Sequence, residues 1–166
     1  PRLARGALSA FALSEPGSGS DPAGIKTVAD PSLGGTSYIL NGEKLWCANS
    51  PRAELIVVVA RTPSIMVRGR ERAQLTAFLV ETNSPGFEIG SIATLMGVRG
   101  AACGMIRLDN LEIPAENILG EPGDGLRVAF AALNVGRLTM PAAASANAKV
   151  AVHFARDWCR ERTQWG

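Results

Sequence analysis

The chain has 166 residues, of which 46% are apolar and 19% are charged, and its formal net charge is +2. A chain of this size can bury one ordinary core with a small addition, and its near-neutral charge gives no reason to expect a nucleic-acid-binding surface. No apolar run approaches the ~20 residues of a membrane-spanning helix, so we expect no membrane contact. Cys47, Cys103 and Cys159 form no Cys-x-x-Cys pair, which argues against a zinc site or a disulfide framework and favours a reducing compartment.

The first distinctive segment is a loop rich in glycine and serine that follows the apolar residues 10–13. The loop contains Ser14, Glu15, Pro16, Gly17, Ser18, Gly19, Ser20 and Asp21. Backbone amides and hydroxyls in such a loop can hold carbonyl or phosphate oxygens. On residue type alone, an ordinary turn remains the simpler interpretation.

The second distinctive segment is a predicted β-hairpin that carries a tryptophan. Strands over residues 36–40 and 43–47 are expected to be joined by Asn41 and Gly42, because Asn-Gly suits the two positive-φ positions of a type I′ turn. Trp46 lies on the second strand, where a core position is the ordinary interpretation. An indole beside a polar loop also suits a planar, hydrogen-bonding heterocycle, which suggests a bound flavin.

Two further strands are predicted from apolar runs. Residues 55–60 are continuously apolar and β-branched, as expected of a strand buried on both faces, and residues 75–80 form a second candidate. The segment 61–72 between them contains Pro63, Gly69 and several charges. This composition predicts a solvated loop rather than a phosphate clamp.

The hydrophobic period changes in the last third of the chain. Residues 104–109 alternate as in a half-exposed strand, and a strand over 111–113 is expected to stop at Pro114. From about residue 123, apolar residues recur at helical spacing, so β-structure is predicted to give way to α-structure. Pro141 is expected to kink or split this helix.

Four segments together resemble the acyl-CoA dehydrogenase family: residues 11–24, 38–49, 96–117 and the ending 162–166. Members of this family have an N-terminal helical domain, a middle β-barrel domain and a C-terminal helical bundle, with FAD between the last two. The resemblance implies a mainly β fold, in which a small antiparallel β-barrel is followed by an α-helical segment of the bundle.

The resemblance also implies a domain division and a fragment. Residues 1–9 would end the N-terminal helical domain or form a linker, residues 10–121 would form the middle domain, and residues 122–166 would begin an incomplete C-terminal domain. In full length, the protein would form a dimer or tetramer. It would lie in the cytoplasm of a bacterium, or in the mitochondrial matrix of a eukaryote.

The family's flavin contacts match four positions near the two distinctive segments. Leu13 and Ser14 match positions that meet the pyrimidine edge of the flavin, and Trp46 matches the residue packed against the ring. Ala48 matches a backbone contact near the reactive nitrogen. Because the family often has a hydroxylated residue there, Ala48 would lack one side-chain hydrogen bond to the flavin.

Other family positions match residues farther along the chain. Arg162, Gln164 and Trp165 match a segment that reaches the FAD pyrophosphate or adenosine across a subunit interface. Ser20 and Arg137 match residues that border the acyl-CoA cleft. The residues around Arg137 look most similar to the very-long-chain branch of the family.

The resemblance implies a reaction but supplies no catalytic residue in this chain. The family oxidises acyl-CoA to 2,3-enoyl-CoA with FAD as hydride acceptor, and it delivers electrons to an electron-transfer flavoprotein. The necessary general base is a glutamate beyond the last residue here or immediately before the arginine matched by Arg137, where this chain has Gly136. We therefore expect the isolated chain to be inactive. An acyl-CoA oxidase, a nitroalkane-oxidase-like relative or a non-catalytic CoA- or flavin-binding module are the alternatives.

Overall fold

The computed structural model describes residues 2–166, in which seven β-strands precede one long α-helix. The strands are β1 (Ser9–Ala12), β2 (Val28–Pro31), β3 (Ser37–Ala48), β4 (Leu55–Val67), β5 (Arg70–Glu81), β6 (Phe87–Ile92) and β7 (Cys103–Pro114), and the helix is α1 (Gly125–Glu161). Short 3-10 helices span Leu3–Arg5, Pro22–Gly24 and Ala115–Asn117. The prediction of a mainly β fold followed by a helical segment is confirmed.

All seven strands belong to one sheet. Its order is β1-β4-β2-β3-β7-β6, and β5 pairs with β4 outside this path. Most pairs are antiparallel, but β4 runs parallel to both β1 and β2. The predicted strands 55–60 and 75–80 lie in β4 and β5. Their inward residues, such as Val58 and Phe78, are fully buried in the main core, because such an apolar run is stable only when covered on both faces.

The predicted hairpin at Asn41 and Gly42 is wrong, because β3 runs unbroken through both residues. Residues 38–41 pair with β2, and β3 also pairs with β7 along most of its length, with a register shift beside Gly42. These two ladders outweigh the local turn preference. Glycine is required there for another reason: an added Cβ would lie 2.6 Å from Thr27 Oγ1 and 2.8 Å from Thr27 Cα. The Asn41 side chain accepts a hydrogen bond from the Asn110 N–H at 2.7 Å.

The predicted loop over residues 61–72 is also wrong in structure, although most of its side chains are exposed as expected. β4 and β5 continue as a hairpin to a two-residue turn at Arg68 and Gly69, whose φ angles are 51° and 74°. Two positive φ angles define a type I′ turn. Pro63 fits within β4 because it lies at a register shift, where the ladder is already interrupted.

The segment after β6 contains one strand where two were predicted. β7 joins residues 104–109 and 111–113 through Asn110, whose φ is 49°, and it ends at Pro114 as predicted. The change to helix near residue 123 is confirmed by the start of α1 at Gly125. The predicted split at Pro141 is wrong, since α1 is continuous there. Proline removes one intrahelical bond, and the alanine-rich segment that follows is a strong helix former.

The described chain divides into two compact units, one ending at Ala129 and one over residues 130–166. The first turn of α1 belongs to the first unit, where Ala129 is fully buried in a second core with Val59, Leu75 and Ala77. An added Cβ at Gly125 would lie 2.6 Å from the Leu75 carbonyl oxygen, so glycine permits this close approach. Between residues 2 and 166, no helix is both long and apolar enough to cross a bilayer.

Candidate functional site

The two distinctive sequence segments lie side by side in the first unit. The Leu45 N–H donates to the Ser14 carbonyl oxygen at 2.9 Å. The Lys44 ammonium donates to the Leu13 carbonyl oxygen at 3.1 Å. Two consecutive residues of β3 therefore hold Leu13 and Ser14, and Trp46 follows immediately.

Trp46 is exposed to solvent and does not lie in the core. The residue is 60% exposed, and its φ of 59° is in the left-handed region, which is uncommon for a bulky residue. The β3–β7 register shifts between Lys44 and Cys47, and this irregularity re-aims the indole outward. A strained backbone that exposes a large apolar ring is typical of a ligand site. The alternative of an ordinary core tryptophan is excluded.

A buried ion pair joins the loop to β3. The Lys44 side chain is completely buried, the Glu15 side chain is 6% exposed, and their charged atoms are 2.8 Å apart. The Glu15 carboxylate also accepts from the Lys26 N–H at 2.6 Å, the Thr27 N–H at 3.0 Å and the Thr27 hydroxyl at 2.6 Å. A buried charge is stable only when it is paired and hydrogen-bonded in this way.

For each partner of this pair, burial and the ion pair shift the pKa in opposite directions. Burial by itself raises the pKa of Glu15, but the hydrogen bonds from Lys44, Thr27 and the Lys26 amide bring it below its ordinary value of 4.5. Burial also lowers the pKa of Lys44, and the attraction of Glu15 offsets part of that effect. Sequence reasoning assigned neither residue a role. The sequence did contain one signal: Lys44 lies in a predicted strand, and a lysine that faces inward from a strand needs an acidic partner.

An apolar cavity of about 410 Å³ opens beside Trp46. Its lining includes Leu45, Trp46, Leu95, Met96, Cys103 and Met105. Cys47 lies on the buried side of β3, and burial raises the pKa of its thiol to about 11, so this thiol is unreactive at neutral pH. The site thus combines an exposed ring and an apolar recess with the polar groups of the loop.

The remaining predicted residues of the first unit lie on its surface. Ser14 is half-buried, whereas Ser20 and Ala48 are exposed. The loop that carries Ser20 is closed by a hydrogen bond of 2.5 Å from the Ser18 hydroxyl to the Asp21 carbonyl oxygen. Ala48 pairs with Cys103 at the start of β7. Leu13, Ser14 and Trp46 are therefore brought together, while the role of Ser20 stays a prediction.

The other predicted residues belong to the second unit. The Arg137 guanidinium lies 5.2 Å from the Phe130 ring centre, and Arg137 borders a recess of about 430 Å³ together with Leu133 and Met140. The Arg162 guanidinium lies 5.8 Å from the Trp158 ring centre. Gln164 and Trp165 are exposed beyond the end of α1. The roles predicted for these residues stay predictions.

The fold is a mostly β module, which contains the candidate ligand site, followed by one helix. The family model described as "Acyl-CoA dehydrogenase, middle domain" matches residues 10–111, more than half of the chain. The chain belongs to the acyl-CoA dehydrogenase family, which confirms the predicted resemblance.

Particular relatives support this assignment along the whole chain. The probable acyl-CoA dehydrogenase FadE10 of Mycobacterium tuberculosis (strain ATCC 25618 / H37Rv) is 45% identical over 166 residues, which cover 100% of this chain and 25% of that protein. The mitochondrial very long-chain specific acyl-CoA dehydrogenase of Rattus norvegicus is 41% identical over 168 residues, covering 100% and 26%. The chain thus spans about a quarter of the length of these relatives.

Solved structures show the same fold. A probable acyl-CoA dehydrogenase from Mycobacterium abscessus matches with a TM-score of 0.83 and 29% identity, covering 100% of this chain and 42% of that one. An acyl-CoA dehydrogenase from Bacillus anthracis, described as complexed with FAD, matches with a TM-score of 0.76 and 36% identity, covering 94% and 25%. Both similarities extend over nearly all of the present chain.

Proposed function

We propose that this chain is part of an FAD-dependent acyl-CoA dehydrogenase, which oxidises acyl-CoA to 2,3-enoyl-CoA and passes electrons to an electron-transfer flavoprotein. One observation carries the proposal: β3 holds the Ser14 loop by a hydrogen bond at Leu45, and the next residue, Trp46, exposes its indole. A ring-stacking surface and a polar edge therefore occur next to each other. The relative from Bacillus anthracis, whose structure contains FAD, supports the choice of ligand.

The residues present suit a flavin ring. The exposed Trp46 indole offers a flat apolar face, and the half-buried Ser14 hydroxyl can donate to the polar edge of the ring. The Leu13 and Ala48 backbones supply further contacts, and Ala48, having no hydroxyl, can contribute its N–H alone. When bound, FAD supplies the hydride-accepting chemistry. Donors fixed at the ring edge favour its more negative reduced form.

The second unit would contribute to the far end of the cofactor and to the substrate cleft. Arg162 offers a planar set of donors suited to the FAD pyrophosphate, with Gln164 and Trp165 beside it in sequence. Because this contact would cross a subunit interface, the whole protein would be a homo-oligomer. Ser20 and Arg137 would border the acyl-CoA cleft. A side chain from outside this chain would supply the general base, since Gly136 cannot.

The domain assignment belongs to the same proposal. Residues 1–9 would end the N-terminal helical domain or form a linker, 10–121 would form the middle domain, and 122–166 would begin the C-terminal helical domain. The protein would act in the cytoplasm of a bacterium or in the mitochondrial matrix of a eukaryote. Stopped-flow reoxidation of the complete gene product by electron-transfer flavoprotein and by oxygen would separate a dehydrogenase from an oxidase.

The direct test is an FAD titration of the complete gene product and of the 166-residue chain, monitored by flavin and tryptophan fluorescence. We expect saturable mutual quenching in the complete gene product. Trp46→Phe should remove most of the tryptophan quenching and weaken FAD binding about fivefold, because a smaller ring stacks less well. Met66→Leu, at an exposed apolar residue of the β4–β5 hairpin, is the control and should leave both quantities near wild type. A complete gene product without FAD affinity would refute the proposal.

A further inference from the structure

We infer that Lys44 and Glu15 are positioning residues of the proposed flavin site: they fix the peptide between Leu13 and Ser14 so that the Ser14 N–H faces the ligand. This inference rests on the proposed function, because it assigns a role within the same site. Neither residue touches the ligand in this arrangement. Each acts through the backbone of the loop.

The orientation of the peptide follows from the contact between Lys44 and Leu13. The buried Lys44 ammonium donates to the Leu13 carbonyl oxygen at 3.1 Å. In a trans peptide the C=O and the next N–H point in opposite directions, and residues 2–166 contain no cis peptide. Holding the Leu13 carbonyl toward the buried side therefore turns the Ser14 N–H toward the outer side of the loop.

The following peptide is held by the backbone. The Ser14 carbonyl oxygen accepts from the Leu45 N–H at 2.9 Å, so the carbonyls of Leu13 and Ser14 are bound to two successive residues of β3. Two anchors fix the loop more firmly than one, because each removes rotation that the other leaves free. The outcome is a preorganised donor, which spends little conformational entropy when a ligand binds.

Glu15 keeps the Lys44 ammonium in place. Its carboxylate bonds Lys44 at 2.8 Å and also accepts from Lys26 and Thr27. These contacts join the loop to the segment that precedes β2. Without Glu15, Lys44 would be a buried ammonium with one carbonyl partner, which is an unstable arrangement. Glu15 therefore sets the position of Lys44, and Lys44 sets the orientation of the peptide.

Two variants separate positioning from stability in the complete gene product. Lys44→Met leaves the Glu15 carboxylate buried without its counter-ion, so it should lose both stability and FAD affinity. The double variant Glu15→Gln with Lys44→Met contains no unpaired charge, so its urea midpoint should lie above that of Lys44→Met. Its FAD dissociation constant should stay at least about tenfold higher than wild type, because the Leu13 carbonyl still lacks its donor. Its bound-flavin absorption bands should also be shifted.

The control is Arg2→Met, which breaks an exposed ion pair with Glu81 and should change neither the midpoint nor FAD binding. A folded double variant with wild-type FAD affinity and flavin spectrum would overturn the inference. The pair would then be a structural element alone.

Hydrogen exchange of the wild-type protein gives a second test that needs no variant. The Leu45 amide should be protected with and without FAD, because its acceptor lies within the chain. The Ser14 amide should gain at least about tenfold protection when FAD saturates the site. If FAD binds and the Ser14 amide is unaffected, the positioning role is wrong while the proposed function survives. If FAD does not bind at all, the proposed function itself fails.

Discussion

Glu15 is an acidic residue whose burial makes the stability of the molecule sensitive to acid. Its hydrogen bonds bring its pKa below the ordinary value of 4.5 despite burial. A carboxyl group with a lowered folded-state pKa contributes stability above its unfolded pKa, and this contribution is lost as the pH falls through the folded-state value.

We therefore predict that Glu15→Gln lowers the free energy of unfolding by about 3 kcal/mol at pH 7, because Lys44 loses its buried counter-ion. The difference between wild type and variant should shrink as the pH falls from about 4.5 toward 3. Urea unfolding across this pH range measures it. Glu43→Gln, at an exposed neighbour of Lys44, should change the free energy by less than about 0.5 kcal/mol at pH 7. A Glu15→Gln difference that stays constant down to pH 3 would contradict the prediction.

The β4–β5 hairpin contains a turn whose sequence does not match its geometry. Arg68 occupies a left-handed position, with φ of 51°, before Gly69, and asparagine tolerates this conformation better than arginine does. Arg68→Asn should therefore raise the free energy of unfolding by about 0.5–1 kcal/mol, measured by urea or thermal unfolding. Arg70→Asn removes the same charge from the neighbouring strand position and should be neutral or slightly destabilising. Equal effects of both variants would show that charge, not turn geometry, is responsible.

The strands and turns of the sheet also show which features a sequence pattern can predict. Residues 55–60 were predicted correctly because a buried strand must be apolar along its own length. The hairpin at Asn41 and Gly42 was not, because partners far away in sequence, in β2 and β7, determine the path of β3. Conversely, the type I′ turn at Arg68 and Gly69 was not predicted, because arginine has no preference for this turn type.

In the candidate site, too, some residues could be predicted from the sequence and others could not. Ser14 and Trp46 were proposed as site residues because their neighbours in sequence resemble a known family. The pair of Glu15 and Lys44 was not, because 29 residues separate its members and their contact exists only after β3 has folded beneath the loop. Burial of a charge is a property of the folded chain, whereas periodicity reports on local segments alone.

At the scale of the whole molecule, the two units differ in what stabilises them. The first has two apolar cores, with β4 bonded to β1, β2 and β5. The second consists mainly of α1, along which Leu138, Val152 and Phe154 are exposed. A helix that buries little apolar surface depends largely on its own backbone hydrogen bonds, and these give marginal stability in water.

We therefore predict a gradient of hydrogen exchange along α1 in the 166-residue chain. Amides near Ala129, which is buried in the second core, should be protected, whereas those from about residue 142 to the end of the helix should exchange at least about a hundredfold faster than those of β4. Mass spectrometry of short peptides, corrected for intrinsic rates, measures this gradient. The complete gene product is the control: if further helices cover α1 there, the slow rates should extend along it. Uniform protection of α1 in the 166-residue chain would mean that its exposed apolar residues are already covered, for example by a second copy.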